Sequence, residues 1–263
     1  MFKNFHIRKH LMLITCLCAL LLISACGVTL KHVPAKSLNA VSIQKHISIM
    51  VADIGDAREN ESFDRIGQGA SYWLPVSFYA RDEEENELPV SYYIAQSLSE
   101  DLTKIGYKTK MANDVTVRKS LTLDESIAIA KKEGVDYLVT TKLKEGKTNF
   151  WGFLIIPFFE PVWTRLVLDA QLINAKDEKN ITPIQTDHRE TEWYFAKITI
   201  GDAIFDAGLF GKHWHSTAWG ETVISDGLAE TALKLSEKIQ SQENTVVSDA
   251  SAGTTLKASQ KVQ

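Results

Sequence analysis

The feature that most constrains this chain is an apolar run near its start, because it decides which residues remain to fold. Lys3, Arg8 and Lys9 precede the uncharged run LMLITCLCALLLI, residues 11–23. A run of this length matches the apolar region of a secretory signal peptide, and a membrane-spanning helix needs roughly 20 apolar residues. We therefore predict that residues 1–25 are a signal peptide and that the remaining chain folds outside the cytoplasm.

The residues that end this run, Ser24-Ala25-Cys26-Gly27, resemble the processing site of bacterial lipoproteins. In that family the cut falls before the cysteine, which then carries the lipid, palmitate included. The resemblance implies lipidation of Cys26, and Gly27 in place of Asp resembles lipoproteins sorted to the outer membrane. We therefore expect a domain anchored at the periplasmic face of that membrane. The alternatives are an ordinary secretory signal with a chance cysteine, or an uncleaved anchor.

Cleavage would leave the mature protein without a disulfide. The chain has three cysteines, of which Cys16 and Cys18 lie in the signal peptide and Cys26 would be blocked by lipid. About 238 residues would remain, which is enough for one sizeable core. That core must hold without covalent crosslinks, although the protein enters an oxidising compartment.

The charge excludes some classes of partner. The formal net charge is −4, and loss of three basic residues with the signal peptide leaves about −7. No basic stripe is visible, which argues against nucleic-acid binding and against electrostatic attachment to anionic lipid. We expect attachment to the membrane through the lipid on Cys26, which several acyl chains would make effectively permanent.

Hydrophobic periodicity predicts seven successive segments, each of them a strand, a helix or a hairpin. Ile94, Leu98, Leu102 and Ile105 share one helical face, and a glycine at 106 suits the residue after a helix end. The predicted elements are strands at 46–53, 107–111 and 135–143, helices ending near 105, spanning 123–133 and covering 228–239, and a hairpin of strands at 164–175 and 181–193.

This order of strand, helix, strand, helix, strand, hairpin and helix predicts an α/β (α+β) fold, in which helices pack on a mixed β-sheet. Residues 26–44 show no clear period and are predicted to be a tether. One periplasmic domain is assigned to residues 45–240, with insertions at 54–89, 148–163 and 196–223. Residues 241–263 contain few apolar side chains and are predicted to be disordered.

Three stretches also carry a resemblance: VAD at 51–53 with Arg58 after it, IGY at 105–107, and KEGVDYLV at 132–139. They resemble a group of periplasmic lipoprotein domains, and the layout is similar to outer-membrane lipoproteins of the YajG type. The curli-secretion lipoprotein, the activators of peptidoglycan synthases and the amino-terminal domain of the Tol–Pal translocation protein share this architecture. The resemblance covers roughly residues 45–145 and 164–240. It implies no catalytic residues.

Candidate metal ligands are few. His213 and His215 have a spacing that zinc sites use, and His188 and Glu221 could join them. No third ligand lies at an informative spacing, so we predict neither a metal nor a cofactor.

Asp53, Asp56 and Arg58 follow the first strand, at the position where α/β proteins bind ligands. An ion pair that stabilises the loop is the favoured interpretation. The sequence contains no recognisable nucleophile or metalloprotease motif, so we predict that the protein is not an enzyme.

The stretch FWGFLIIPFFEPVW, residues 150–163, has a single charged residue. Pro157 and Pro161 exclude a membrane helix and disfavour a central strand, so we expect an irregular or edge-strand insertion. This stretch either packs inward as a satellite core or projects as an apolar contact surface.

We predict exposure of Trp151, Phe153 and Phe158, in contact with a partner or with the inner surface of the outer membrane. The expected function is protein–protein contact within an envelope assembly for secretion, transport or cell-wall work, in monomeric or oligomeric form. The alternative is binding of a small apolar ligand in an aromatic-lined pocket. Metal-dependent hydrolysis through His213 and His215 is the weakest hypothesis.

Overall fold

A computed structural model describes residues 28–30, 32, 34–35, 38, 46–59, 65–66, 78–82, 84, 86–114, 119–150, 160–176, 180–194 and 222–244. In chain order the elements are β1 Val28–Thr29, β2 Ser48–Asp56, β3 Arg65–Ile66, β4 Phe78–Tyr79, α1 Val90–Ile105, β5 Lys108–Met111, α2 Leu123–Glu133, β6 Tyr137–Phe150, β7 Glu160–Asn174, β8 Asn180–Tyr194 and α3 at 222–244.

Five strands form the main sheet, in the order β5-β2-β6-β7-β8. Both β5 and β6 run parallel to β2, whereas β6, β7 and β8 form an antiparallel meander. The parallel half arises because α1 connects β2 to β5 and α2 connects β5 to β6. The predicted mixed sheet with packed helices is therefore confirmed.

Strand β2 is buried on both faces. Ile49 and Val51 belong to the main core with residues of α1 and α3, while Met50 and Ala52 belong to a second cluster with Ala130 of α2. Successive side chains of a strand point to opposite faces, so helices on both sides require apolar residues at every position. This arrangement explains the continuous apolar run in that strand.

The predicted helix ends are confirmed. Helix α1 is followed by Gly106 at φ 125°, and α2 is followed by Gly134 at φ 65° in the left-handed region. Helix α2 begins with a capping box, in which Thr122 and Glu125 bind each other's backbone N–H groups. Among the described residues, no helix is long and apolar enough to cross a membrane.

The tether predicted at 26–44 requires a correction for the residues that the structure describes. Leu30 is 3% exposed and Leu38 is 0% exposed, and both belong to the main core. Strand β1 pairs with β4, and the backbone N–H of Leu30 donates to the Tyr79 carbonyl at 2.8 Å. Sequence periodicity missed this segment because single apolar residues in an irregular chain produce no repeat.

The insertion predicted at 54–89 contains strands of its own. Strand β2 continues to Asp56, and β1, β4 and β3 form a small three-stranded sheet in that order. This small sheet lies against the main one, because Ile66 of β3 packs beside Gly146 of β6. A side chain at Gly146 would begin only 3.4 Å from Ile66, so the contact is close.

The insertion predicted at 148–163 is shorter than expected. Strand β6 continues to Phe150, and β7 begins at Glu160, so Pro161 lies within a strand. Val162 is the first residue of β7 that lies opposite β6, which leaves Pro161 with a strand neighbour only in β8. Proline is tolerated where one side of a strand is unpaired, and this explains its position.

Helix α3 overlaps both the insertion predicted at 196–223 and the tail predicted at 241–263. It spans residues 222–244, and the Tyr137 hydroxyl donates to the Glu243 carboxylate at 3.0 Å. Residues 241–244 are therefore helical. The remainder of both predicted segments, 196–221 and 245–263, lies outside the described residues.

Candidate functional site

The carboxyl ends of β2 and β6 define one end of the domain, which we call the carboxyl end. Strand β2 pairs with β6 as far as Leu143, whereas β6 continues to Phe150. At roughly 3.3 Å per residue, the meander therefore extends about 23 Å beyond β2. The connection that follows, 151–159, contains the predicted contact residues and lies outside the described part of the chain.

Strand β8 ends at the same end of the domain, because Tyr194 lies opposite Glu160. Helix α3 returns along the sheet from there: Gly227 packs against Leu166, and Glu243 meets Tyr137 at the other end. The chain between β8 and α3 therefore leaves and re-enters the fold on the side of the carboxyl end.

The amino-terminal segment also enters the fold on this side. Strand β1 pairs with β4, β4 pairs with β3, and Ile66 of β3 contacts Gly146 in the extended part of β6. Val28 is the first described residue, and Cys26 precedes it by two positions. Because a chain spans at most about 3.6 Å per residue, the Cα atom of Cys26 lies within about 7 Å of that of Val28.

A buried hydrogen bond between a histidine and an aspartate fastens this segment to α1. His32 Nε2 lies 2.9 Å from Asp101 Oδ1, and the two side chains are 5% and 0% exposed. Burial raises the pKa of Asp101, while the hydrogen bond from His32 acts in the opposite direction. The second carboxylate oxygen of Asp101 finds no hydrogen-bond donor among the described residues. The pair therefore depends on His32 alone for a donor.

Asp53 forms the second polar cluster of the carboxyl end. Its carboxylate accepts hydrogen bonds from the Gly55 N–H at 2.9 Å, the Ser91 hydroxyl at 2.9 Å and the Ser120 hydroxyl at 3.0 Å. Burial raises the pKa of Asp53 and these bonds oppose that rise. The Asn113 amide binds the backbone of Asp53 at 2.8 and 2.9 Å. These hydrogen bonds hold β2, the start of α1 and two loops together, so the cluster stabilises the fold.

Asp56 and Arg58 form the predicted ion pair. The Arg58 guanidinium donates to the Asp56 carboxylate at 2.9 and 2.6 Å. It also donates to the Arg65 carbonyl at 2.7 Å, which links the end of β2 to β3. The loop-stabilising interpretation is confirmed.

The extended meander has one face on which no described helix packs. The side chains on this face form polar and charged pairs. Arg165 donates to Asp187 at 2.7 Å through two nitrogens and to Glu145 at 3.1 Å. The Arg189 guanidinium lies 4.8 Å from the centre of the Trp163 ring. Such cross-strand pairs stabilise a solvated sheet face, and they make this described surface unsuited to an apolar partner.

Exposed apolar surface is scarce elsewhere among the described side chains. Leu123, 39% exposed, is the only large hydrophobic residue among them that is classed as exposed.

Most of the predicted site residues fall in parts of the chain that the structure does not describe. Cys26, Trp151, Phe153 and Phe158, together with His213 and His215, lie outside the described residues. The suggested further ligand His188 contacts Glu230 at 3.1 Å and Glu190 at 3.4 Å, where it joins β8 to α3. In the described part of the chain, no group of three His, Cys, Asp or Glu side chains could hold a metal ion.

No family model matches the chain, and no curated protein sequence matches it. Among solved structures, protein XCC0632 of Xanthomonas campestris is 11% identical over 84% of this chain and 99% of that chain, with a TM-score of 0.44. Lipoprotein GNA1162 of Neisseria meningitidis is 14% identical over 65% and 95% of the two chains, with a TM-score of 0.34.

The PelC dodecamer of Paraburkholderia phytofirmans is 8% identical over 72% and 90% of the two chains, with a TM-score of 0.32. Similarity at these TM-scores and identities carries no argument about what this chain does. The structural neighbours include bacterial lipoproteins, the class that the amino-terminal sequence indicates, and they do not distinguish the YajG type.

Proposed function

We propose that this protein is a lipoprotein of the bacterial outer membrane, anchored through Cys26 at the periplasmic face. Its single domain acts without catalysis, by contact with envelope proteins of a secretion, transport or cell-wall assembly. The layout of the domain is similar to the YajG type. The observation that carries the proposal is the entry of the anchor-proximal chain on the same side of the domain as the connection between β6 and β7.

This arrangement supports a contact role for Trp151, Phe153 and Phe158. The connection at 151–159 follows a hydrogen-bonded three-stranded meander, and the lipid would hold that end of the domain close to the membrane. Large aromatic side chains contribute most binding energy when they enter a partner's pocket at such an interface. The polar face of the meander would then form the solvated surround of the contact.

The hydrogen bonding of the described polar clusters supports a function that does not involve catalysis. Asp53 meets three donors from its own chain, and Asp56 is paired with Arg58. A catalytic carboxylate needs an open side towards its substrate. We therefore assign a reactive role to neither Asp53 nor Asp56.

Photo-crosslinking in intact cells tests the proposal. A photoreactive amino acid at Phe153 should crosslink to envelope proteins, and the same group at exposed Lys132 on α2 should give far fewer crosslinks. Cys26→Ser should abolish labelling by palmitate and the crosslinks from Phe153. Cys18→Ser is the matched control and should leave both unchanged, because this cysteine would be removed with the signal peptide.

Two outcomes would contradict the proposal. Normal processing and membrane attachment of Cys26→Ser would refute the lipoprotein assignment. Equal crosslinking from positions 153 and 132 would refute the contact role. Purification of a monomer that carries a bound lipid would instead favour the alternative function, a pocket for a small apolar ligand.

A further inference from the structure

We infer that the carboxyl end of the domain is held directly against the phospholipid surface in which Cys26 is anchored, in one fixed orientation. This inference rests on the proposed lipid at Cys26. It goes beyond that proposal because a lipoprotein with a long tether could face any direction and reach far from its membrane.

The first step is that very few residues separate the lipidated cysteine from the folded domain. Val28 is already part of β1, and two residues of chain span at most about 7 Å from Cys26. A bilayer hydrocarbon core is about 30 Å thick, so this connection is short even beside the membrane itself. The first strand therefore lies at the membrane surface when Cys26 is lipidated.

The second step is that the segment after β1 cannot easily peel away and act as a tether. Leu30 and Leu38 are buried in the main core, 3% and 0% exposed. Between them, His32 and Asp101 form a buried pair at 2.9 Å. Release of the segment would expose both leucines to water and break the hydrogen bond between His32 and Asp101, which is costly.

The third step is the direction of the segment. Leu30 is bonded to Tyr79, and the neighbouring Ala80 carbonyl accepts from the Leu88 N–H at 2.9 Å, just before α1 begins. Two residues later, His32 meets Asp101, which lies farther along α1. The described segment therefore runs from the start of α1 towards its end, and Val28 is its residue nearest the carboxyl end.

Dyes attached at two exposed lysine positions can show which end of the domain lies closer to the membrane. Lys147 lies on the extended part of β6, near the carboxyl end. Lys238 lies on α3, two residues after Ser236, which accepts a hydrogen bond from Tyr107 near the opposite end. Ten residues of β6 separate the levels of Tyr137 and Lys147, or roughly 33 Å at 3.3 Å per residue.

Energy transfer to the bilayer provides the test. Lys147→Cys and Lys238→Cys would each be labelled with a donor dye in the lipidated full-length protein, whose remaining cysteine is blocked. The protein would be placed in vesicles of phosphatidylethanolamine and phosphatidylglycerol that contain rhodamine-labelled phosphatidylethanolamine. We expect transfer at position 147 to be at least about twofold more efficient than at position 238, since the separation is comparable to the range of such dyes.

A spacer variant is the matched control. Fifteen Gly and Ser residues inserted between Gly27 and Val28 behave as a flexible coil and should reduce transfer at position 147 towards the value at position 238. Equal transfer at the two positions without the spacer would overturn the inference, as would a spacer without effect.

The mass of the purified protein shows whether Cys26 carries lipid. This measurement distinguishes a failure of the fixed orientation from a failure of the proposed function. If Cys26 carries lipid and the two positions give equal transfer, the fixed orientation is wrong and the lipoprotein assignment stands. If Cys26 carries no lipid, the proposed function itself fails.

Discussion

At the residue scale, Asp101 is a buried acidic side chain whose position is explained by a contact with a residue far away in the sequence. It lies three residues after Leu98 and four before Ile105, so helical spacing places it on the buried side of α1. A carboxylate at such a position is rarely buried without a partner. That spacing was the available sequence signal, but it could not identify His32, which is 69 residues away.

Replacement of His32 tests this pair. His32→Ala would leave the Asp101 carboxylate, 0% exposed, without its only described donor. A buried acceptor that loses its donor typically costs about 1–3 kcal/mol of the free energy of unfolding, and more if it is charged, so we expect a loss of at least about 1 kcal/mol. Urea unfolding of the soluble domain that starts at Gly27 measures it.

His188→Ala is the matched control, because its pair with Glu230 is partly solvated and should contribute less than about 1 kcal/mol. The double variant His32→Leu with Asp101→Leu should recover part of the lost stability, since apolar residues often replace a buried pair at little cost. A loss below about 0.5 kcal/mol for His32→Ala would show that the pair does not hold the segment.

At the element scale, the start of β6 is fixed to the start of β2 by one carboxylate. Asp136 accepts hydrogen bonds from the Ser48 N–H at 2.9 Å and the Ser48 hydroxyl at 2.8 Å. The Lys176 ammonium, next to the end of β7, donates to the other oxygen at 3.2 Å. One side chain thus aligns three strands at the end opposite the proposed anchor.

This alignment predicts a dependence of stability on pH. Partial burial acts to raise the pKa of Asp136, but the bonds from Ser48 and Lys176 outweigh it and the pKa lies below its usual value. A carboxyl group with a lowered folded-state pKa stabilises the fold above its unfolded pKa, and this contribution disappears as the pH falls through the folded value. Asp136→Asn should therefore lose less stability than the parent protein between pH 5 and pH 2.5, a window that spans the ordinary Asp pKa of about 3.9 and extends below it.

Urea unfolding across that pH range measures the difference between the two proteins. Asp169→Asn, at an exposed pair with Lys144, is the control and should follow the parent protein closely. Identical pH dependence for Asp136→Asn and the parent would contradict the assigned role of Asp136.

At the scale of the whole molecule, the question is whether the aromatic stretch stabilises the domain or serves a contact. We predict that Trp151→Ala with Phe153→Ala leaves the melting temperature of the soluble domain almost unchanged and removes its crosslinks in cells. If these side chains formed a satellite core, each substitution would cost about 3–5 kcal/mol and lower the Tm by more than about 10 °C. Thermal unfolding distinguishes the two.

Leu98→Ala with Leu168→Ala is the positive control for loss of a core, because both side chains are 0% exposed. This variant should unfold at a much lower temperature than the parent. A comparable fall for the Trp151 and Phe153 variant would refute the contact role and support the satellite core.

Local patterns in the sequence were sufficient for the elements themselves. The apolar face of α1, the glycine after it, the capping box of Thr122 and Glu125 and the alternation in β7 each depend on residues within a few positions of one another. Helix propensity, capping and strand alternation are local effects, so the strand and helix order and the α/β class followed from the sequence.

Contacts between distant segments were decided only by the tertiary structure. The burial of Leu30 and His32 depends on α1, the small sheet of β1, β4 and β3 depends on strands of two residues, and Pro161 is accommodated because β6 ends before it. None of these features has a period, and each becomes favourable only when another part of the chain supplies a partner. The sequence by itself determined the α/β class and predicted export and a cysteine suited to lipidation, whereas packing determined that Leu30 and Leu38, after that cysteine, belong to the core.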